Sequence, residues 1–187
     1  MTPRRDGFSL IELVVVVLLI GALTSIIAPS FTVQPRHRAE DEARRLVSSL
    51  EMARSRALAQ RQRVRVSFDF DASGDGYTAW VDHDRDGDID EVEAERDSFP
   101  AFGSIALHRT MELGRGNADP VPGDAGSGAV TLTDNELDFS IQGVPDPWGT
   151  MGTIYLVARE DRDAVSAVSV AASGAVRAWT WDGDAWN

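Results

Sequence analysis

The sequence predicts an α+β protein in which one long N-terminal helix precedes a globular antiparallel β domain. Three observations predict it. An apolar run covers residues 8–29 with a single charge, Glu12. Apolar residues then recur at helical spacing over 36–62. From Val64 the period changes to two, and short alternating stretches separated by Gly, Asp and Pro continue nearly to the end. A helix followed by a run of strands is an α+β plan.

The apolar run is long enough to cross a bilayer, which takes about 20 residues. A short basic leader, MTPRRDG, precedes it. The run is too long for a secretory signal, and Ala28-Pro29 is a poor cleavage site. A plain signal anchor fits the length, with Arg4 and Arg5 keeping the N-terminus cytoplasmic. It leaves Glu12 without a reason, since a carboxylate at membrane depth costs roughly 2.5–3.5 kcal/mol. The residues Gly7-Phe8-Ser9-Leu10-Ile11-Glu12 resemble the processing site of type IV prepilins and type II secretion pseudopilins. That resemblance implies cleavage between Gly7 and Phe8 by a prepilin peptidase, N-methylation of Phe8, and retention of the helix as an anchor and assembly element. Glu12 is then the family glutamate. Its carboxylate can neutralise the new Phe8 amine in its own chain or in a neighbouring subunit, which removes two unpaired charges from an apolar fibre core. Pro29 predicts a kink in one long helix, and Pro35 a local break before the soluble part.

Over 36–62 the apolar face is Ala39, Ala43, Leu46, Val47, Leu50, Ala53, Ala57 and Leu58. Its small residues allow a sheet to approach closely. Residues 36–63 hold eight Arg against four acids, and residues 64–187 hold eight Arg against 24 acids, within a net charge of −12. The Arg-rich helix carries interleaved acids, so Glu40–Arg44 and Asp41–Arg45 pairs are expected rather than nucleic-acid binding. An acidic β domain is a poor partner for phosphates and could hold hard cations.

Strands are expected at 64–70, 77–81, 105–108, 130–133, 137–141, 153–158, 165–171 and 176–181, with turns at 71–76 and at Ser173-Gly174. Residues 114–128 and 142–152, rich in Gly and Pro, read as loops, the first a flexible surface loop. The stretches ARSRALAQRQRV, LDFSIQG and VSVAASGAVRAW, with an Asp-rich segment after the second strand, resemble the GspH/FimT group of minor pseudopilins and minor pilins. The resemblance implies a pilin-like fold, with two small sheets packed on the second half of the helix. The domain plan is then leader 1–7, transmembrane and assembly helix 8–30, amphipathic continuation 31–63, and β domain 64–187.

The Asp-rich segment 82–93 fits the calcium-loop pattern D-x-D-x-D-G-x5-E. Asp82, Asp84, Asp86, Asp90 and Glu93 are its carboxylates, and Asp88 offers a backbone carbonyl. Gly87 stands at the sharp turn and Ile89 at the apolar position after it. A strand rather than a helix leads into the loop, which departs from a true EF-hand. A solvated Asp/Gly hairpin loop is the plain alternative, and if calcium is a cofactor its role is rigidity.

Nothing else carries chemistry. Cys and Lys are absent, and His37, His83 and His108 are scattered. No phosphate loop or nucleophile–base signature is present. Most of the five Trp are expected in packing, with Trp186 and the acidic tail 182–187 exposed as a contact point. The expectation is a non-enzymatic minor pseudopilin, single-pass in the bacterial inner membrane with a periplasmic domain, assembled with other pseudopilins or pilins and binding no nucleic acid. The alternatives are a minor type IV pilin (priming, adhesion or DNA uptake) and a calcium-binding exported domain on a signal anchor.

Overall fold

The computed structural model describes residues 10–27, 34–71, 74–87, 89 and 104–187. The Gly7–Phe8 cleavage site, the Pro29 kink, the continuity of the helix across 31–33, and Asp88, Asp90 and Glu93 lie outside them. The chain divides into two units, 1–34 and 35–187, each taken by itself below.

In the first unit, helix α1 covers Leu10–Ile27, 18 residues. At 1.5 Å per residue that is about 27 Å, a little under the ~30 Å hydrocarbon thickness. No helix among the described residues is long and apolar enough to cross a membrane. The apolar sequence continues beyond α1 at Phe8 and Ala28, outside the described residues. The described side chains of α1, residues 10–20, are exposed, Glu12 among them.

In the second unit, helix α2 covers Pro35–Gln60. Pro35 is the first helical residue, where its missing N–H costs nothing, so it starts the helix. Arg61, with φ +53°, turns the chain out of it. Ala39, Ala43, Leu46, Leu50, Ala53 and Ala57 form the buried stripe, while Val47 is half-buried and Leu58 is exposed.

Every strand pair is antiparallel. Among the described residues nine strands form two sheets: β1 (Val64–Asp69), β2 (Gly76–Val81), β3 (Ser104–Ala106), β4 (Met111–Leu113), β5 (Glu136–Phe139), β6 (Pro145–Asp146), β7 (Gly152–Ala158), β8 (Asp161–Val170) and β9 (Val176–Thr180). One sheet has the order β3-β2-β1-β5-β6 and the other β4-β7-β8-β9. Helix α2 packs on both, and Val64, Val66, Leu137, Phe139, Ile154, Leu156 and Val168 meet its stripe in one core.

Several expectations are corrected. Residues 130–133 are not a strand: Val130 makes one bridge to Ile154, and a 3-10 turn, Thr133–Asn135, follows. Strand β4 and the two-residue β6, the latter inside the expected loop 142–152, are additional. Residues 114–128 do lack strands, yet Ala118 and Val121 are buried in that stretch. They cover the outer face of the second sheet, where Tyr155, Val157, Val165 and Ala167 are buried. Strand β7 is thus covered on both faces, which explains its near-continuous apolar sequence. Trp186 is not a free contact point. Its indole packs on Tyr155 and Trp181 and donates to the Asp119 carbonyl at 2.8 Å.

Candidate functional site

Strand β2 delivers the acidic loop. Its last residue, Val81, pairs with Val64, and the Asp82 N–H donates to the Arg63 carbonyl at 3.1 Å. The Asp82 carbonyl accepts from Gln62 Nε2 at 3.1 Å. The backbone at Asp82 is therefore held by the α2–β1 corner, and the side chain is buried, with 3 % exposure. Beyond it the chain curls. The Gly87 N–H donates to Asp82 Oδ2 at 3.3 Å and the Asp86 N–H to Asp84 Oδ1 at 3.3 Å. Gly87 takes φ +93°, as its place in the pattern requires, and Arg85 takes +62°. Ile89 is buried. One carboxylate oxygen each from Asp82, Asp84 and Asp86 lies within 4.8 Å of the others. The structure thus brings three expected ligands together.

The loop is tied to the edge of the first sheet by Arg63. Its guanidinium donates to the Gly87 carbonyl and to Asp146 Oδ2 at 2.9 Å, and lies 3.5 Å from Asp138. Arg65 reaches the same carboxylate row, at 2.7 Å from Asp138 and 3.1 Å from Glu136. The sequence holds no local signal for this row, because its acids come from a different hairpin.

On α2 the Glu40–Arg44 pair forms at 3.9 Å, but Arg45 lies 3.8 Å from Glu42. Glu42 is buried and accepts the His108 N–H at 2.9 Å. A second polar cluster went unread in the sequence. The Tyr155 hydroxyl donates to Asp124 Oδ2 at 2.6 Å and accepts the Val121 N–H at 2.9 Å. Burial, then the Asp124 hydrogen bond, pushes the Tyr155 phenol up to about 12. Tyr77, buried and 3.0 Å from Ser49 Oγ, is also raised, chiefly by burial. In the tail, the N–H groups of Ala185 and Asp184 hold the Asp182 carboxyl below its ordinary value. Of the five Trp, Trp148 is the one left largely exposed.

A helical N-terminal segment with one acid in its first turn precedes a helix-backed pair of antiparallel sheets. Residues 2–28 match the prokaryotic N-terminal methylation motif. Residues 42–174 match the type II transport protein GspH family, and the chain belongs to that family. No curated protein is significantly similar to it. Among solved structures, the type IV minor pilin FimU of Pseudomonas aeruginosa is 18 % identical, with a TM-score of 0.48 over 76 % of this chain and 88 % of that one. The minor pseudopilin EpsH of the Vibrio cholerae type 2 secretion system is 14 % identical, with a TM-score of 0.48 over 76 % of this chain and 97 % of that one.

Proposed function

We propose that the chain is a structural, non-catalytic subunit: a minor pseudopilin of a type II protein secretion system. The observation that carries this is the order of the two matches, a methylation motif over 2–28 followed by a type II transport domain over 42–174. In this reading a prepilin peptidase cuts between Gly7 and Phe8. The N-terminal helix then anchors the chain in the inner membrane with the β domain in the periplasm. Later it packs among the helices of other pseudopilins in the pseudopilus, and Glu12 pairs with a Phe8 amine there. Two lone charges in an apolar fibre cost far more than a paired one, so Glu12 selects both register and neighbour.

A minor type IV pilin is the second reading, because the methylation motif serves both systems. A role in DNA uptake is disfavoured by the charge of −12 and by how the late arginines are used. Arg159 and Arg162 pair with Glu112, and Arg177 stacks 3.7 Å from the Trp179 ring centre.

Mass spectrometry of the chain from its host membrane should give an N-methylated Phe8 terminus. A chain still beginning at Met1 would sink the reading. The Glu12→Ala variant should be cleaved normally yet fail to enter fibres, and normal incorporation would refute the pairing role. Gene deletion should abolish secretion and leave pili intact; the reverse outcome selects the minor pilin.

A further inference from the structure

We propose that Asp82, Asp84 and Asp86 bind one calcium ion at the end of β2. This goes beyond the assembly role and does not depend on it. Exposed acids alone would not make a site, and Asp84 and Asp86 are exposed. The oxygen that singles out this cluster is Asp82 Oδ1. It is buried and accepts no hydrogen bond among the described residues, although Oδ2 of the same carboxylate takes the Gly87 N–H. An ionised oxygen shut away from water without a donor is strongly unfavourable, and buried polar atoms are almost always paired. A cation beside Oδ1 supplies the missing partner.

The neighbouring guanidinium does not supply it. Arg63 turns its two terminal nitrogens to the Gly87 carbonyl, Asp146 and Asp138, and its buried Nε donates to no group among the described residues, Asp82 Oδ1 included. The backbone on both sides of Asp82 is held by the α2–β1 corner, so the carboxylate is presented at a fixed point. Three carboxylate oxygens gathered within 4.8 Å repel one another unless a cation sits among them.

The chemistry selects calcium. The donors are all hard carboxylate oxygens, and the chain has no Cys to favour a soft metal. Calcium holds oxygens at about 2.3–2.6 Å, so two donors on opposite sides of it stand about 4.6–5.2 Å apart. The three oxygens, each within 4.8 Å of the others, can all reach one such ion. Magnesium, at about 2.0–2.1 Å, demands a stricter octahedron and gives up its waters reluctantly. Exposure of Asp84 and Asp86 leaves room for waters to complete the shell.

The test is calorimetric titration of the full-length chain, in detergent and stripped with chelator, with calcium chloride. One calcium per chain is expected, with Asp84→Asn and Asp86→Asn each weakening binding at least about tenfold. Both residues are exposed, so these variants should fold as the parent does. Asp82→Asn should abolish binding, and Glu51→Gln, on the exposed face of α2, should leave it unchanged. Calcium should raise the thermal midpoint of the parent but not of Asp84→Asn. Absence of heat up to about 10 mM calcium overturns the proposal. So does weak binding of several ions that is insensitive to Asp84→Asn and Asp86→Asn. Equal affinity for magnesium overturns the assignment to calcium.

Discussion

Arg54 shows what single residues do here. In sequence it is one of eight arginines over residues 36–63, and helix charge patterning reads such a residue as a solvated face. In the structure its Nε donates to the Gly143 carbonyl at 2.8 Å, Nη1 to the Gly174 carbonyl at 3.0 Å, and Nη2 to the Ser173 carbonyl at 3.4 Å. One planar fork thereby holds two turns, one from each sheet, against α2. Its acceptors are backbone carbonyls 89 and 120 positions away, so no local pattern could announce it. The Ser173-Gly174 turn, by contrast, was legible from its glycine, which takes φ +78°. Lysine carries the same charge without the fork. Arg54→Lys should therefore lower the unfolding free energy by roughly 1–3 kcal/mol in a denaturant titration. An unchanged midpoint would mean the clamp is not what joins the turns to the helix.

At the scale of elements, periodicity served well wherever an element has one face to bury. The stripe of α2 appears as expected apart from exposed Leu58. Of the expected inward row Val64, Val66, Phe68 and Phe70, the first three are buried in β1, whereas Phe70 lies past its end and is exposed and Ser67, expected outward, is buried. It failed for very short elements. Strand β4 has three residues and β6 has two, and each exists only because β7 or β5 offers a free edge. It also failed to show that residues 114–128 cover a sheet, because burial of Val121 depends on Tyr155, 34 positions on. Half of the acidic loop's pattern, Asp82, Asp84 and Asp86, converges as its spacing requires. What the sequence could not convey is that of these three Asp82 alone is buried, since that depends on where the α2–β1 corner lies. The alanines of α2 leave its two buried leucines, Leu46 and Leu50, as the main volume between helix and sheets. Leu50→Ala should therefore cost about 2–5 kcal/mol, read from chemical denaturation, with little relaxation because both sheets press on the gap. A loss below about 1 kcal/mol would mean the helix can settle onto the sheets.

For the molecule as a whole, pH tests the packing of the second sheet. The folded state raises Tyr155 from its ordinary value near 10 to about 12. The native state therefore prefers the protonated phenol. Its contribution is complete below about pH 10 and is lost as pH rises toward 12. Tyr77 shifts in the same direction, from the core between helix and sheet. Stability should fall over this alkaline window, and Tyr155→Phe should fall less steeply while keeping the part due to Tyr77. Equal slopes for the two proteins would show that Tyr155 is not linked to folding. Neither tyrosine stood out in the sequence, because each draws its environment from segments distant in the chain.

Arg63 is where these scales meet. A single guanidinium grips the Gly87 carbonyl of the acidic loop and the Asp146 carboxylate of β6, the outermost strand of its sheet. The loop and the sheet edge are therefore coupled like two ends of a lever with Arg63 as its pivot. A displacement of the Gly87 carbonyl at one end is felt as a change of load on a two-residue strand at the other. That strand has two residues and ends the sheet, so the loop is fastened to the rim of the domain rather than to its core.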